Sequence, residues 1–365
     1  LRFISDNSGM SIVFPEKIVE SLGIVGLIMI VLEAGLDLKL ERSKIPLIRN
    51  SFFSALFILI LSSALVTAIL YYWMHEPLNK CIVYAIPLSI MSSSIVIPSI
   101  NPLTMQKKEF LVYEASFSDI LGILAFNYLT AGDTFSAKSA GIFAINIVFS
   151  ILLSLVLSFL LFLILAKVKM NIKFFLIFAL LILIYAGGKI LHLPSLIIIL
   201  VFGLMINNWE KIKIPFLQRY FPGSQVGPIH HLLHSITAES SFLIRTFFFI
   251  LFGFSISLSF LGEQEVIYVG SLIVLALFII RVLYLRFFVR TNLFPEAFFI
   301  PRGLITIVLF YKIPDAFKFS NFNDGILFFI ILVTSIVMAI GIIFYRKKPE
   351  QIVEEGQFTE RADLL

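Results

Sequence analysis

Eleven apolar runs, each long enough or nearly long enough to cross a bilayer, dominate this chain. They fall at approximately 18–36, 51–73, 80–100, 109–130, 140–166, 172–190, 193–207, 241–261, 265–287, 296–312 and 324–345. A hydrocarbon core about 30 Å thick is crossed by about 20 residues of helix. Lipid offers no partner to backbone N–H and C=O groups, so such runs must satisfy them internally, as helices do. The residues are 59% hydrophobic and 14% charged, whereas soluble domains carry about 25% charged residues. The expected fold is an all-α polytopic membrane protein with about 11 transmembrane helices. Runs 193–207 and 296–312 are short and read as tilted or interrupted helices.

The loops alternate in charge. Lys39, Arg42, Lys44 and Arg49 lie on one side, with Lys107 and Lys108, Lys167, Lys169 and Lys173, Lys211, Lys213 and Arg219, Arg286 and Arg290, and Arg346 to Lys348. Intervening loops such as 131–138 and 261–264 hold few cations. Cations accumulate on the cytoplasmic side. The N-terminus is therefore expected outside and the C-terminus inside, in the plasma membrane. The net charge of +5 sits in these loops and does not suggest nucleic acid. Cys81 is the one cysteine, which excludes an intramolecular disulfide and argues against a thiolate metal site. No cofactor or metal is expected, since no P-loop, dinucleotide fingerprint or HExxH pattern occurs. The polar opening, 1–17, lacks a signal peptide, so the first helices of a longer protein are expected to be missing. The tail 346–365 turns from basic to acidic without apolar pattern and is expected to be disordered.

Asp119 lies near the middle of run 109–130, about 15 Å from either end of a helix. A charge at that depth costs at least about 2.5 kcal/mol, and intramembrane acids are mainly functional. Ala115, Ser116, Gly122 and Ile123 share its face. Small residues there leave room for an ion and let neighbouring helices approach. The bland alternative is a structural acid paired with an arginine.

Glu114 and Arg281 lie in different runs, each about 8–9 Å below the cytoplasmic surface at 1.5 Å per residue. Equal depth is what an interhelical ion pair requires, and pairing offsets much of the burial cost. The pair reads as an internal tie. The alternative for Arg281 is snorkelling to the lipid surface, as expected of Arg286 and Arg290.

Two runs read as broken helices. In 80–100, Pro87 and Pro98 bracket Ser92-Ser93-Ser94, whose hydroxyls and nearby freed carbonyls can coordinate a cation. An ordinary proline-kinked helix is the equal alternative. In 296–312, Pro295, Pro301, Arg302 and Gly303 precede the apolar stretch, and Arg302 is placed to neutralise the carbonyl ends of half-helices. One broken run in each half suggests an inverted repeat of 18–130 and 241–345. Glu33 reads as a structural acid paired with a nearby base, and Arg245 as snorkelling. His230, His231 and His234 fall in the amphipathic stretch Ile229 to Ile236; a solvated helix is preferred there over a pH sensor.

These residues resemble the monovalent cation:proton antiporter superfamily. Glu114-Ala-Ser-Phe-Ser-Asp119 looks like its E-S-x-x-N-D motif, whose aspartate binds cation and proton in turn. Leu32-Glu-Ala-Gly-Leu-Asp37 is similar to an early helix of the family, and Phe278-Ile-Ile-Arg281 to the helix whose arginine pairs with the motif glutamate. Pro301-Arg302-Gly303-Leu304 resembles an L-R-G segment, and Phe247 to Gly253 an aromatic stretch ending in glycine. The matches run in family order. Ser118 stands where electroneutral members have Asn and electrogenic members an acid, and Ala115 replaces a serine. Ser92-Ser93-Ser94 looks more like the potassium-efflux branch than the sodium branch.

The resemblance implies an inverted-repeat antiporter fold. Its mobile core would be 51–130 and 265–345, its dimerisation scaffold 18–50 and 131–264, within a membrane domain of 18–345. The implied activity is exchange of Na⁺ or K⁺ for H⁺ by alternating access, electroneutral, in a homodimer embedded in lipid. Asp119, Ser116, Ser118, Ser93 and Ser94 form the expected cation and proton site. A gated channel or sensory membrane protein is the rival, but no pore motif or ligand-binding domain supports it. An intramembrane enzyme lacks paired catalytic acids or a nucleophile–base spacing.

Overall fold

The computed structural model describes residues 16–130, 141–142, 145–146, 148–157, 160, 170–190, 195–209, 223–255, 262–289 and 294–345. The opening 1–15, much of run 140–166, the connection 210–222 and the tail 346–365 lie outside the described residues, and with them the expectation of a disordered tail.

The described residues form helices where the apolar runs predict them. These are α1 (Glu16–Asp37), α2 (Ile45–Met74), α3 (Leu78–Ser89), α4 (Ser93–Ser99) and α5 (Met105–Thr130). After α6 (Val148–Leu157) come α7 (Met170–Ile190), α8 (Ser195–Asn207), α9 (Gly223–Ser255), α10 (Gln264–Tyr284), α11 (Leu304–Tyr311) and α12 (Asp324–Ile343). Spans Ile45–Met74, Leu78–Ser99, Gln264–Phe288 and Asp324–Ile343 are long and apolar enough to cross a membrane. The chain divides into two compact units.

The first unit takes in Leu1–Ile45, Ile123–Ser257 and Val308–Phe317. In it α1 packs on α8 and α9. The α1–α8 crossing is set by Gly35 and Gly203: a Cβ on Gly35 would lie 2.7 Å from the Leu200 carbonyl and 3.0 Å from Gly203 Cα. Small residues let the two backbones meet. Asn208 then closes the end of α8 against α1, donating from Nδ2 to Leu38 O at 2.9 Å and accepting from Leu40 N–H at 2.6 Å. The amphipathic histidine stretch is not a separate element, because it runs on as the first part of the 33-residue α9. Arg245, read as snorkelling, is mostly buried; its Nη2 lies 3.4 Å from Glu33 Oε1. An acid within reach on α1 outweighs the pull of the interface.

The second unit takes in Pro46–Gly122, Leu258–Ile307 and Lys318–Leu365. Here α10 packs on α12, and the turn Glu296–Phe298 packs on both. Met91, Val96, Ile100, Leu103, Leu111, Ala115, Phe299 and Met338 form a buried apolar cluster around the broken segments.

Both runs are interrupted as expected, the first between its two prolines and the second across Pro301. Pro87 lies inside α3 and Pro98 inside α4; the break is at Ile90–Ser92. A helix can open where its backbone groups find other partners. They do so here: Met91 N–H donates to Ser118 Oγ at 2.9 Å, and Ser92 N–H to Pro301 O at 3.0 Å. In run 296–312 a short helical turn, Glu296–Phe298, gives way to non-helical backbone at 299–303 before α11.

Candidate functional site

The two breaks cross. Ser92 N–H bonds to Pro301 O, and a Cβ on Gly303 would run into the Ser92 hydroxyl. Glycine at 303 is therefore what permits the close approach. The crossing opens two half-helix ends. The N-terminal end of α4 directs backbone N–H groups, and the C-terminal end of α3 carbonyls, to partners outside their own helices.

Each end meets a charge. Asp119, 2% exposed, faces the start of α4. Its Oδ2 accepts the Ser93 N–H at 3.2 Å and also a short bond from the Ser93 hydroxyl. An anion at a helix N-terminus is favourably placed. Arg302, equally buried, faces the other end. Its Nε donates to Leu88 O at 2.6 Å and its Nη1 to Ile300 O at 2.9 Å, while its own N–H donates to Thr334 Oγ1 at 3.2 Å.

The serines divide. Ser93 reaches Asp119, and Ser118, one residue before it on α5, holds the broken backbone through Met91. Ser94 pairs with Ser92, the hydroxyl oxygens 2.7 Å apart. Ser116 is fully buried, one turn from Asp119 on the same face, and no hydrogen bond engages its hydroxyl among the described residues.

Glu114 lies about 7.5 Å along α5 from Asp119 and about 140° around it. The two acids thus face different neighbours. Arg281 and Glu114 are each 1% exposed and form a two-pronged pair: Nη2 to Oε2 at 2.9 Å and Nη1 to Oε1 at 3.2 Å. Planar, two-pronged pairing is the strongest form such a contact takes. Ser54 on α2 adds a third donor to Glu114 Oε1 at 2.5 Å, and Arg281 Nε donates to Glu296 O at 2.6 Å.

Sequence reasoning passed over three residues of this network. Ser54 is one hydroxyl in a long apolar run and carries no local signal. Lys107 counts as an ordinary loop cation by position. Glu296 sits in a proline-flanked segment where acids are common. Their meeting is a tertiary fact: Lys107 Nζ lies 2.6 Å from Glu296 Oε2, and Glu296 is buried. The available signal was spacing, since Lys107 and Glu114 are seven residues apart and so share a helix face.

A family model described as "Sodium/hydrogen exchanger, transmembrane" matches residues 4–348. Among solved structures, the chain is similar to the sodium proton antiporter MjNhaP1 from Methanocaldococcus jannaschii at pH 8, with TM-score 0.64 and 16% identity over 90% of this chain and 85% of that one. An electron-microscopy structure of the same antiporter gives TM-score 0.62 and 15% identity over 91% of this chain and 87% of that one. At such identity the likeness shows the fold. No curated protein matches the sequence.

Proposed function

The chain belongs to the sodium/hydrogen exchanger family, and from that membership we propose that Asp119 is the group through which it exchanges its ions. It is a multi-pass membrane antiporter coupling a cation to protons, and not an enzyme.

The observation carrying the assignment is that Asp119 is buried where two broken helices cross, held by the N–H and the hydroxyl of Ser93. A hydroxyl both donates and accepts. Toward the bare carboxylate Ser93 donates; toward a bound cation it turns a lone pair; toward protonated Asp119 it accepts. Ser94, Ser116 and Ser118 supply the other hydroxyl oxygens within the same turns of α4 and α5. One carboxylate serves cation or proton, never both together, which is the coupling. Arg302 balances the carbonyl ends of the crossing, so the cation meets an acid rather than a field of mixed sign.

Sodium is the cation the family supports, with potassium the alternative. Ser118 is neutral and Glu114 is tied to Arg281, so one proton exchanges per monovalent cation and the cycle carries no net charge. Alternating access moves the core, 51–130 and 265–345, against the scaffold, 18–50 and 131–264; two crossed half-helix pairs suit an inverted repeat that does this. The protein works as a homodimer in the plasma membrane, N-terminus outside and C-terminus cytoplasmic.

Proteoliposomes with an internal pH dye and an imposed sodium gradient test the central assignment. Asp119→Asn keeps the size and buried packing but cannot change charge. It should purify like wild type and lose all sodium-driven proton flux. Flux above the protein-free rate would overturn the assignment.

A further inference from the structure

We infer that Lys107 and Glu296 are a positioning pair that holds the interrupted segment 295–303 in register with the Asp119 helix and so sets cation affinity. The inference rests on the reading of Asp119 as the carrier.

Lys107 stands in the first turn of α5, two turns before Glu114 on the same face. Its ammonium makes three contacts with the segment that enters and flanks the broken run. It lies 2.6 Å from Glu296 Oε2, donates to Phe294 O at 2.9 Å, and sits 5.8 Å from the centre of the Tyr345 ring. Glu296 is held from its other side as well, because its carbonyl accepts Arg281 Nε. Lys107, Glu296, Arg281 and Glu114 thus form one chain of contacts, two ion pairs joined through the Glu296 backbone carbonyl. Its two ends, Lys107 and Glu114, both stand on α5. The turn Glu296–Phe298 is locked between them.

That turn cannot drift elsewhere. Phe298 packs edge-on against Phe278 and Phe294, each at 5.5 Å, and a Cβ on Gly341 would lie 2.8 Å from Phe298 Cγ. Five residues after Glu296 comes Pro301, whose carbonyl holds Ser92 N–H; the next residue, Ser93, holds Asp119. The path from Lys107 therefore returns to its own helix twelve residues further on. A shift of the turn along α5 is passed through short, hydrogen-bonded backbone to the donors on Asp119.

The experiment measures apparent KM for sodium, maximal rate and pH profile of exchange in proteoliposomes, each per folded transporter counted by size-exclusion chromatography. Lys107→Ala should raise KM for sodium about tenfold, in the range coupled networks reach. Because sodium and protons compete for one carboxylate, its pH profile should move with KM. Lys107→Arg, which can reach both Glu296 and Phe294 O, should restore both. The neutral double variant Lys107→Gln with Glu296→Gln leaves no charge unpaired and should fold while keeping the raised KM. Unchanged KM and pH profile in folded Lys107→Ala or in the double variant would overturn the inference. So would failure of both to fold, which would mean that the pair maintains the fold rather than the site. Asp119→Asn, assayed beside them, separates the two readings: residual exchange there overturns the carrier assignment and leaves the Lys107 comparison to be judged on its own.

Discussion

Breaking the Glu114–Arg281 pair should cost more than its contacts suggest, and breaking both partners should cost less than the two losses added. In Glu114→Ala the guanidinium stays 1% exposed and keeps only Glu296 O as partner through Nε. Removing one member of a buried pair costs about 3–5 kcal/mol, because the other charge is stranded. Arg281→Ala strands Glu114 with Ser54 as its one donor from this network and takes one of two donors from Glu296 O, which keeps the Phe299 N–H, at a similar cost of about 3–5 kcal/mol. The double variant strands no charge. What remains is a truncation of two buried side chains, about 2–5 kcal/mol for comparable cases. The double change should therefore cost less than the two losses added, by up to about 3 kcal/mol, the upper end of measured couplings. Unfolding of the four proteins in one detergent by denaturant or heat gives the cycle. Where the alanine variants yield no folded protein, Glu114→Gln and Arg281→Gln follow the same logic. Additivity within about 0.5 kcal/mol would refute the reasoning, since uncoupled residues behave that way.

Two further outcomes follow from the geometry. Exchange in proteoliposomes should be insensitive to a potassium–valinomycin clamp with sodium as the substrate, because one net charge crossing at 100 mV is worth about 2.3 kcal/mol and would show; a rate that follows voltage would make Glu114 a second proton carrier. On the connection between α2 and α3, the Ser320 N–H, followed by Lys80, holds the Glu76 carboxyl at about 2, below its usual 4.5. The unfolded chain binds the proton first, so the stability this gives is full above pH 4.5 and is lost as pH falls toward about 2. Glu76→Gln should flatten that acid limb of the stability profile, and an unchanged limb would reject the role of these bonds.

How much could be read without the fold depends on what each residue's surroundings make unusual. A carboxylate ten residues deep in an apolar run declares itself, and Asp119 did. Glu114 and Arg281 could be set beside each other by depth alone, since a helix converts sequence distance into height. Lys107 and Glu296 could not, because both lie near the ends of their segments, where charges meet water or lipid headgroups as a matter of course. The prolines bracketed the first break without placing it. Pro87 and Pro98 mark where a helix loses a donor, but whether it opens depends on which partners the freed groups find. Those partners, Ser118 on α5 and Pro301 in the other broken run, come from other segments.

The sequence by itself determined the class of fold and the number and order of the spans, because the bilayer imposes one length and one polarity on whatever crosses it. It also singled out Asp119, an acid in the middle of an apolar run. Only the tertiary structure decided between which partners the helices open, which charge faces which half-helix end, and how two ion pairs from three segments join through the Glu296 carbonyl. A hydrogen bond to a broken backbone is a contact between residues far apart in sequence, and no periodicity along the chain encodes it.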